Sequence, residues 1–231
     1  MSKEKKLLPI AEAVAQLLKE HFAQPAPYYL EHSPCWLMTV PDKATHESLW
    51  HEISEVYAAL LDNRWTLDQQ LANAGKNLKP GTQRFDIWFT SPDDFGFEFD
   101  ETQHFNQFRL RTMECYGGYR NLPFDYDEYV SICRSSNAKP GTSGFSRLKC
   151  PDPLFPPLYE GDKQDNRVRQ RAFRDFLKDV IPIVIEGANP TIRVSYEVTN
   201  GKRNGFDQGD LEAVRQHIEE NRLLRGIRLR K

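Results

Sequence analysis

Apolar and polar positions alternate most sharply in two runs, Phe85-Asp86-Ile87-Trp88-Phe89 and Phe95-Gly96-Phe97-Glu98-Phe99-Asp100. Successive side chains of a strand point to opposite faces, so each run sets phenylalanine on one face and carboxylates on the other. The intervening Ser91-Pro92-Asp93-Asp94 is a turn signal, and together the runs predict an antiparallel hairpin. If Phe85, Ile87 and Phe89 share a buried face with Phe95, Phe97 and Phe99, this short turn leaves two registers. Asp86 then lies across from Glu98 or from Asp100.

Elsewhere the apolar spacing is helical. Residues 9–22 carry Ile10, Val14, Leu17 and Leu18 on one side and stop at Pro25 and Pro27, and residues 45–62 place Leu49, Trp50, Ile53, Val56 and Leu60 together. A short helix follows at 66–73, and the Tyr28-Tyr29 and Cys35-Trp36 aromatics read as core packing. Further helices are expected at 125–135, 165–179 and 208–224. Ile181-Pro182-Ile183-Val184-Ile185 reads as a buried extended segment, and Ile192 to Val198 alternates as a strand. The fold class expected is α/β, a mixed central sheet flanked by helices. Residues 1–80 would be an N-terminal helical extension packed on the core, and 81–231 an α/β domain with an inserted loop and helix region at 117–161.

Composition narrows this modestly. With 231 residues, 39% of them hydrophobic, and 14 phenylalanines, the chain can bury one sizeable core. Four cysteines without a Cys-x-x-Cys pair, and no secretory leader, point to free thiols in the cytoplasm. No apolar run approaches the roughly 20 residues of a membrane-spanning helix, so no membrane partner is expected. No Walker loop, Gly-x-Gly-x-x-Gly or Gly-x-Ser-x-Gly element occurs, which argues against a nucleotide cofactor and serine-hydrolase chemistry.

The formal charge of −2 does not announce a nucleic-acid binder. Within 165–179, however, Arg167, Arg171, Arg174 and Lys178 recur at helical spacing opposite Val168, Ala172, Phe176 and Leu177. Such a stripe can track phosphates, or it can be a solvated face. Arg134, Lys139, Arg147 and Lys149 make the 117–161 segment a candidate DNA-contacting arm, and Arg222, Arg225, Arg228, Arg230 and Lys231 form a basic tail.

Three carboxylates converging on one sheet face repel one another, and a hard divalent cation with oxygen ligands relieves this, Mg2+ before Ca2+ or Zn2+. An amphipathic hairpin with a solvated acidic face explains the pattern equally well. Asp86 followed by Glu98-Phe99-Asp100-Glu101-Thr102-Gln103-His104 resembles the PD-(D/E)XK nuclease superfamily, in particular its very-short-patch-repair (Vsr)-like branch, where a strand Asp precedes Glu-x-Asp-Gly-x-x-His. Here Glu101 stands in the glycine position, and Asp100 stands where other members carry lysine.

The resemblance implies a restriction-endonuclease-like fold that hydrolyses duplex DNA in restriction, repair or defence. Asp86 and Glu98 would hold Mg2+, with Mn2+ as a substitute, and Asp100 would be a further ligand or an orienting group. His104 would assist the attacking water or the leaving group, given a helix directly after the strand. Double-strand cleavage by a single site would favour a homodimer, by symmetry reasoning alone. The competing readings are a non-cleaving DNA-binding or partner-binding protein on the same scaffold, and a glycoside hydrolase using Glu98 and a second carboxylate.

Overall fold

The computed structural model describes residues 3–90, 94–116, 122–136, 152–158 and 166–227. The 91–93 turn, most of the 117–161 segment including Lys139, Arg147 and Lys149, and the last four residues of the basic tail lie outside them. The architecture is mixed α/β. Four strands, β1 (Tyr28–Leu30), β2 (Ile87–Phe89), β3 (Asp94–Asp100) and β4 (Ala188–Ser195), form one sheet in that spatial order. The first three are antiparallel neighbours, and β3 and β4 are parallel.

Helices cover both faces of the sheet. Ile87, Phe89, Phe95, Phe97, Phe99, Ile192 and Val194 form an apolar layer. It packs against α1 (Lys3–Phe22) and α7 (Gln208–Glu220). The opposite face meets α2 (Trp50–Leu60), α4 (Gln107–Glu114), α5 (Tyr126–Ser135) and α6 (Asn166–Val184), while α3 (Leu67–Ala74) joins α2 at the periphery. Strand alternation decides which chemistry lands on this second face: Glu98 and Asp100 of β3, and Thr191, Arg193 and Ser195 of β4.

Several local expectations are corrected. Phe85 does not join Ile87 and Phe89, because regular pairing of β2 begins only at Ile87. Its ring belongs instead to the opposite core and lies over Gly96. A Cβ on Gly96 would fall inside van der Waals distance of that ring. Gly96→Ala is therefore expected to cost about 1–3 kcal/mol through overpacking, read from the urea midpoint.

The 181–185 run is not a strand, since α6 continues through Val184. Val168, Ala172, Phe176 and Val180 carry one buried helical face past the basic stripe. Pro182 removes the amide that would bond the Lys178 carbonyl. The Thr191 hydroxyl of β4 donates to that carbonyl instead, at 2.6 Å. Strand β4 also starts and ends earlier than the 192–198 alternation indicates, with Tyr196–Thr199 forming a 3₁₀ turn. The Tyr28-Tyr29 stretch, expected as core packing, instead supplies strand β1, with Tyr29 59% exposed, and Cys35 is likewise exposed.

Candidate metal centre and basic cleft

The hairpin adopts the first of its two allowed registers. Ile87 pairs with Phe97 and Trp88 with Gly96, which sets Asp86 across from Glu98. Backbone amides lock the two acids in place: Asp86 N–H donates to Glu98 Oε1 at 3.1 Å, and Phe99 N–H donates to Asp86 Oδ2 at 3.2 Å. From α6, Lys178 Nζ reaches Glu98 Oε1 at 2.8 Å, with its side chain only 11% exposed. The same ammonium lies 5.5 Å from the centre of the Phe85 ring. Lys178 thus sits against the acid pair.

Burial pushes the Glu98 carboxyl up to about 7, with the Asp86 charge adding to the rise and Lys178 opposing it. Hard carboxylate oxygens on two adjacent strands are the donor type that Mg2+ or Mn2+ accepts.

Asp100 lies on the same sheet face but is engaged elsewhere. Arg193, with 0% side-chain exposure, holds both its oxygens at 3.0 and 2.8 Å, and the Tyr129 hydroxyl donates to it at 2.9 Å. Arg193 Nε also bonds Asp179, and its Nη2 lies 3.7 Å from Asp175. Arg109 reaches Asp179 at 2.8 Å. Asp175 and Asp179 come from one turn of α6, so this helix brings two further acids into the layer beneath the sheet face.

His104 closes the cluster. Its 3₁₀ turn, Thr102–His104, precedes α4, whose first amides are capped by the Asn106 side chain. The turn folds the ring back so that Nδ1 lies 2.8 Å from Asp175 and 3.4 Å from Asp100. Burial disfavours charge on the ring, but Asp175 and Asp100 outweigh it and raise the His104 pKa above its ordinary 6.5.

Ligand atoms of Asp100, His104 and Asp175 lie within 4.8 Å of one another, close enough for one ion. Charge counting nevertheless favours a proton there. Three aspartates, Asp100, Asp175 and Asp179, face two guanidiniums, Arg109 and Arg193, and a protonated His104 brings the group to neutrality. An added cation would lie against the Arg193 guanidinium, which contacts both carboxylates.

Asp86, Glu98 and His104 open into one cleft of about 350 Å³, whose lining also includes Arg167, Arg171, Arg174 and Lys178. The structure therefore brings the acidic pair and the entire basic stripe together, while Asp100 does not line the cleft. Sequence reasoning missed Asp175 and Arg193 as the groups that hold His104 and Asp100. The available signal was an arginine at an inward position between Ile192 and Val194, both buried. It also missed Lys6, Arg84 and Arg203, which line the same cleft.

Among the described residues, no helix is long and apolar enough to cross a membrane. No curated protein and no solved structure matches the chain. A family model described as a family of unknown function (DUF7255) matches residues 66–148, a stretch that carries Asp86, Glu98, Asp100 and His104 and ends before α6.

Proposed function

We propose that this protein is a metal-dependent DNA endonuclease with a restriction-endonuclease-like core, hydrolysing phosphodiester bonds at Asp86 and Glu98. The observation that carries the reading is the register that opposes these two carboxylates, with the Lys178 ammonium 2.8 Å from Glu98, in a cleft lined by arginines. Asp86 and Glu98 would hold a divalent cation, which when bound would supply Lewis-acid chemistry at the phosphoryl group and activate a water.

The remaining work falls to the chain itself. Lys178 takes the part of the lysine absent from position 100, placing a positive charge beside the acids from a helix instead of from the strand. Its ammonium stabilises negative charge that grows on the phosphate. His104 uses Nδ1 on Asp175, which leaves Nε2 as the nitrogen that serves the substrate. With its charged form favoured, His104 acts as the proton donor to the departing oxygen. Asp100 is an orienting group, fixed by Arg193 and Tyr129.

Cleavage of plasmid and short duplex DNA with Mg2+ or Mn2+ tests the reading. Cutting by the wild type that disappears in Asp86→Ala and Glu98→Ala supports it, whereas binding without cutting under every metal makes the protein a recognition module. Lys178→Met is expected to slow cleavage on the order of 10²–10³-fold while leaving the circular-dichroism spectrum unchanged.

A further inference from the structure

The cleft is built from both sides of the sheet, and its two basic walls differ in how their charges are spent. The α6 wall stands on the face of Glu98, and two of its four cations are paired with carboxylates, while the other two bond neutral oxygens. Lys178 pairs with Glu98, Arg174 lies 3.5 Å from Asp152, Arg171 donates to the Gln103 carbonyl at 3.3 Å, and Arg167 bonds Gln170.

The other wall stands on the face of Phe99. Phe206 packs edge-on against the Phe99 ring at 5.2 Å and, with Leu7 of α1, gives this wall an apolar base. Lys6 and Arg203 rise from it, and Arg84 joins at the rim, two residues before Asp86. None of these three cations makes an ion pair with a described residue, and Arg203 is steadied by the Tyr196 ring 5.6 Å away. In all, seven cations and four carboxylates line the cleft, in a chain whose formal charge is −2. Three cations without an ion pair to a described residue, in a cleft that the α6 cations also line, raise the local concentration of an anion there.

We propose that Lys6, Arg84 and Arg203 form a second phosphate-binding wall, so that a DNA strand crosses the cleft with phosphates held on both sides of the bond over Asp86 and Glu98. The inference deepens the nuclease reading and rests on its cleft. It makes the substrate a continuous polynucleotide and excludes a free mononucleotide, because a single phosphate cannot satisfy both walls. The helix α1 thereby acquires a role beyond packing on the sheet.

The test is the salt dependence of duplex binding, measured by fluorescence anisotropy with Ca2+ in place of Mg2+, for the wild type and the Lys6→Ala/Arg84→Ala/Arg203→Ala variant. Each lost phosphate contact lowers the slope of log affinity against log salt by about 0.9, so the triple variant should lose close to three such increments. A matching Lys6→Arg/Arg84→Lys/Arg203→Lys variant should keep the wild-type slope, which a merely structural role for these side chains would not require. An unchanged slope in the alanine variant, or no binding by the wild type, overturns the inference. Failure of the nuclease reading is scored separately, by the absence of Mg2+-dependent cutting. A wild type that binds without cutting and an alanine variant with a reduced slope would leave this wall standing and remove the catalytic assignment.

Discussion

Arg193→Met is expected to destabilise the protein by about 3–5 kcal/mol, the usual cost of leaving buried charges without their partner. Methionine replaces most of the arginine stem, so packing changes little and the loss is electrostatic. Asp100 would surrender both guanidinium bonds, and Asp179 and Asp175 would each lose a contact. Tyr129, Tyr116, Arg109 and His104 remain, but they cannot neutralise three carboxylates. Because a domain's whole stability is roughly 5–15 kcal/mol, the variant should sit near the edge of folding.

Urea unfolding monitored by tryptophan fluorescence checks this through the midpoint at unchanged slope. Adding Asp100→Asn should return part of the loss, since the second change removes one of the orphaned charges. A cost below about 1 kcal/mol would mean that the network carries no more weight than a surface ion pair.

Glu98→Gln is expected to act with opposite signs on activity and on stability. Cleavage should fall by at least on the order of 10²–10³-fold, because the variant loses one of the two anionic oxygen donors. The metal-free fold should nevertheless gain at alkaline pH. With its carboxyl raised from 4.5 to about 7 in the fold, Glu98 prefers to be protonated there. Its contribution to stability is therefore complete below pH 4.5 and is lost as the pH rises through 7.

Glutamine mimics the protonated form and has no such loss. The stability difference between variant and wild type should open between those two pH values and level off at about 3 kcal/mol, because a tenfold change in proton affinity is worth roughly 1.4 kcal/mol. Comparing the two proteins removes the titrations that Glu98 does not influence, and His104, whose raised pKa removes stability as the pH rises, is common to both. Denaturation across this range in EDTA supplies the comparison, and parallel curves would contradict it.

The parts of the site legible in the sequence are those with a strict period. Alternation over Phe95 to Asp100 sets Glu98 and Asp100 on one face, and helical spacing gathers Arg167, Arg171, Arg174 and Lys178 into one stripe. Where the sequence misleads, the cause is local and physical. Phe85 follows the alternation but precedes the residues that pair with β3, and its ring lies over Gly96. Strand β1 is three residues long, too short to show a period. The β-branched run at 181–185 favours a strand, yet an uninterrupted apolar helical face and the Thr191 bond to the Lys178 carbonyl keep it in α6.

Lys178 illustrates a different limit. Its spacing is that of a phosphate-tracking stripe, and only the crossing of α6 over β3 reveals that it pairs with Glu98. The Arg193 network is hidden because no spacing rule links residues on β3, α4, α6 and β4. Lys6, Arg84 and Arg203 are likewise scattered in sequence and come together only in the lining of the cleft.

The catalytic assignment depends above all on where the metal sits, and Mn2+ binding followed by electron paramagnetic resonance locates it. The expected result is an ion whose binding is lost in Asp86→Ala and in Glu98→Ala and kept in Asp175→Asn. Binding that survives both alanine changes and disappears in Asp175→Asn would place the ion in the Asp100, His104 and Asp175 cluster, and would contradict the assignment.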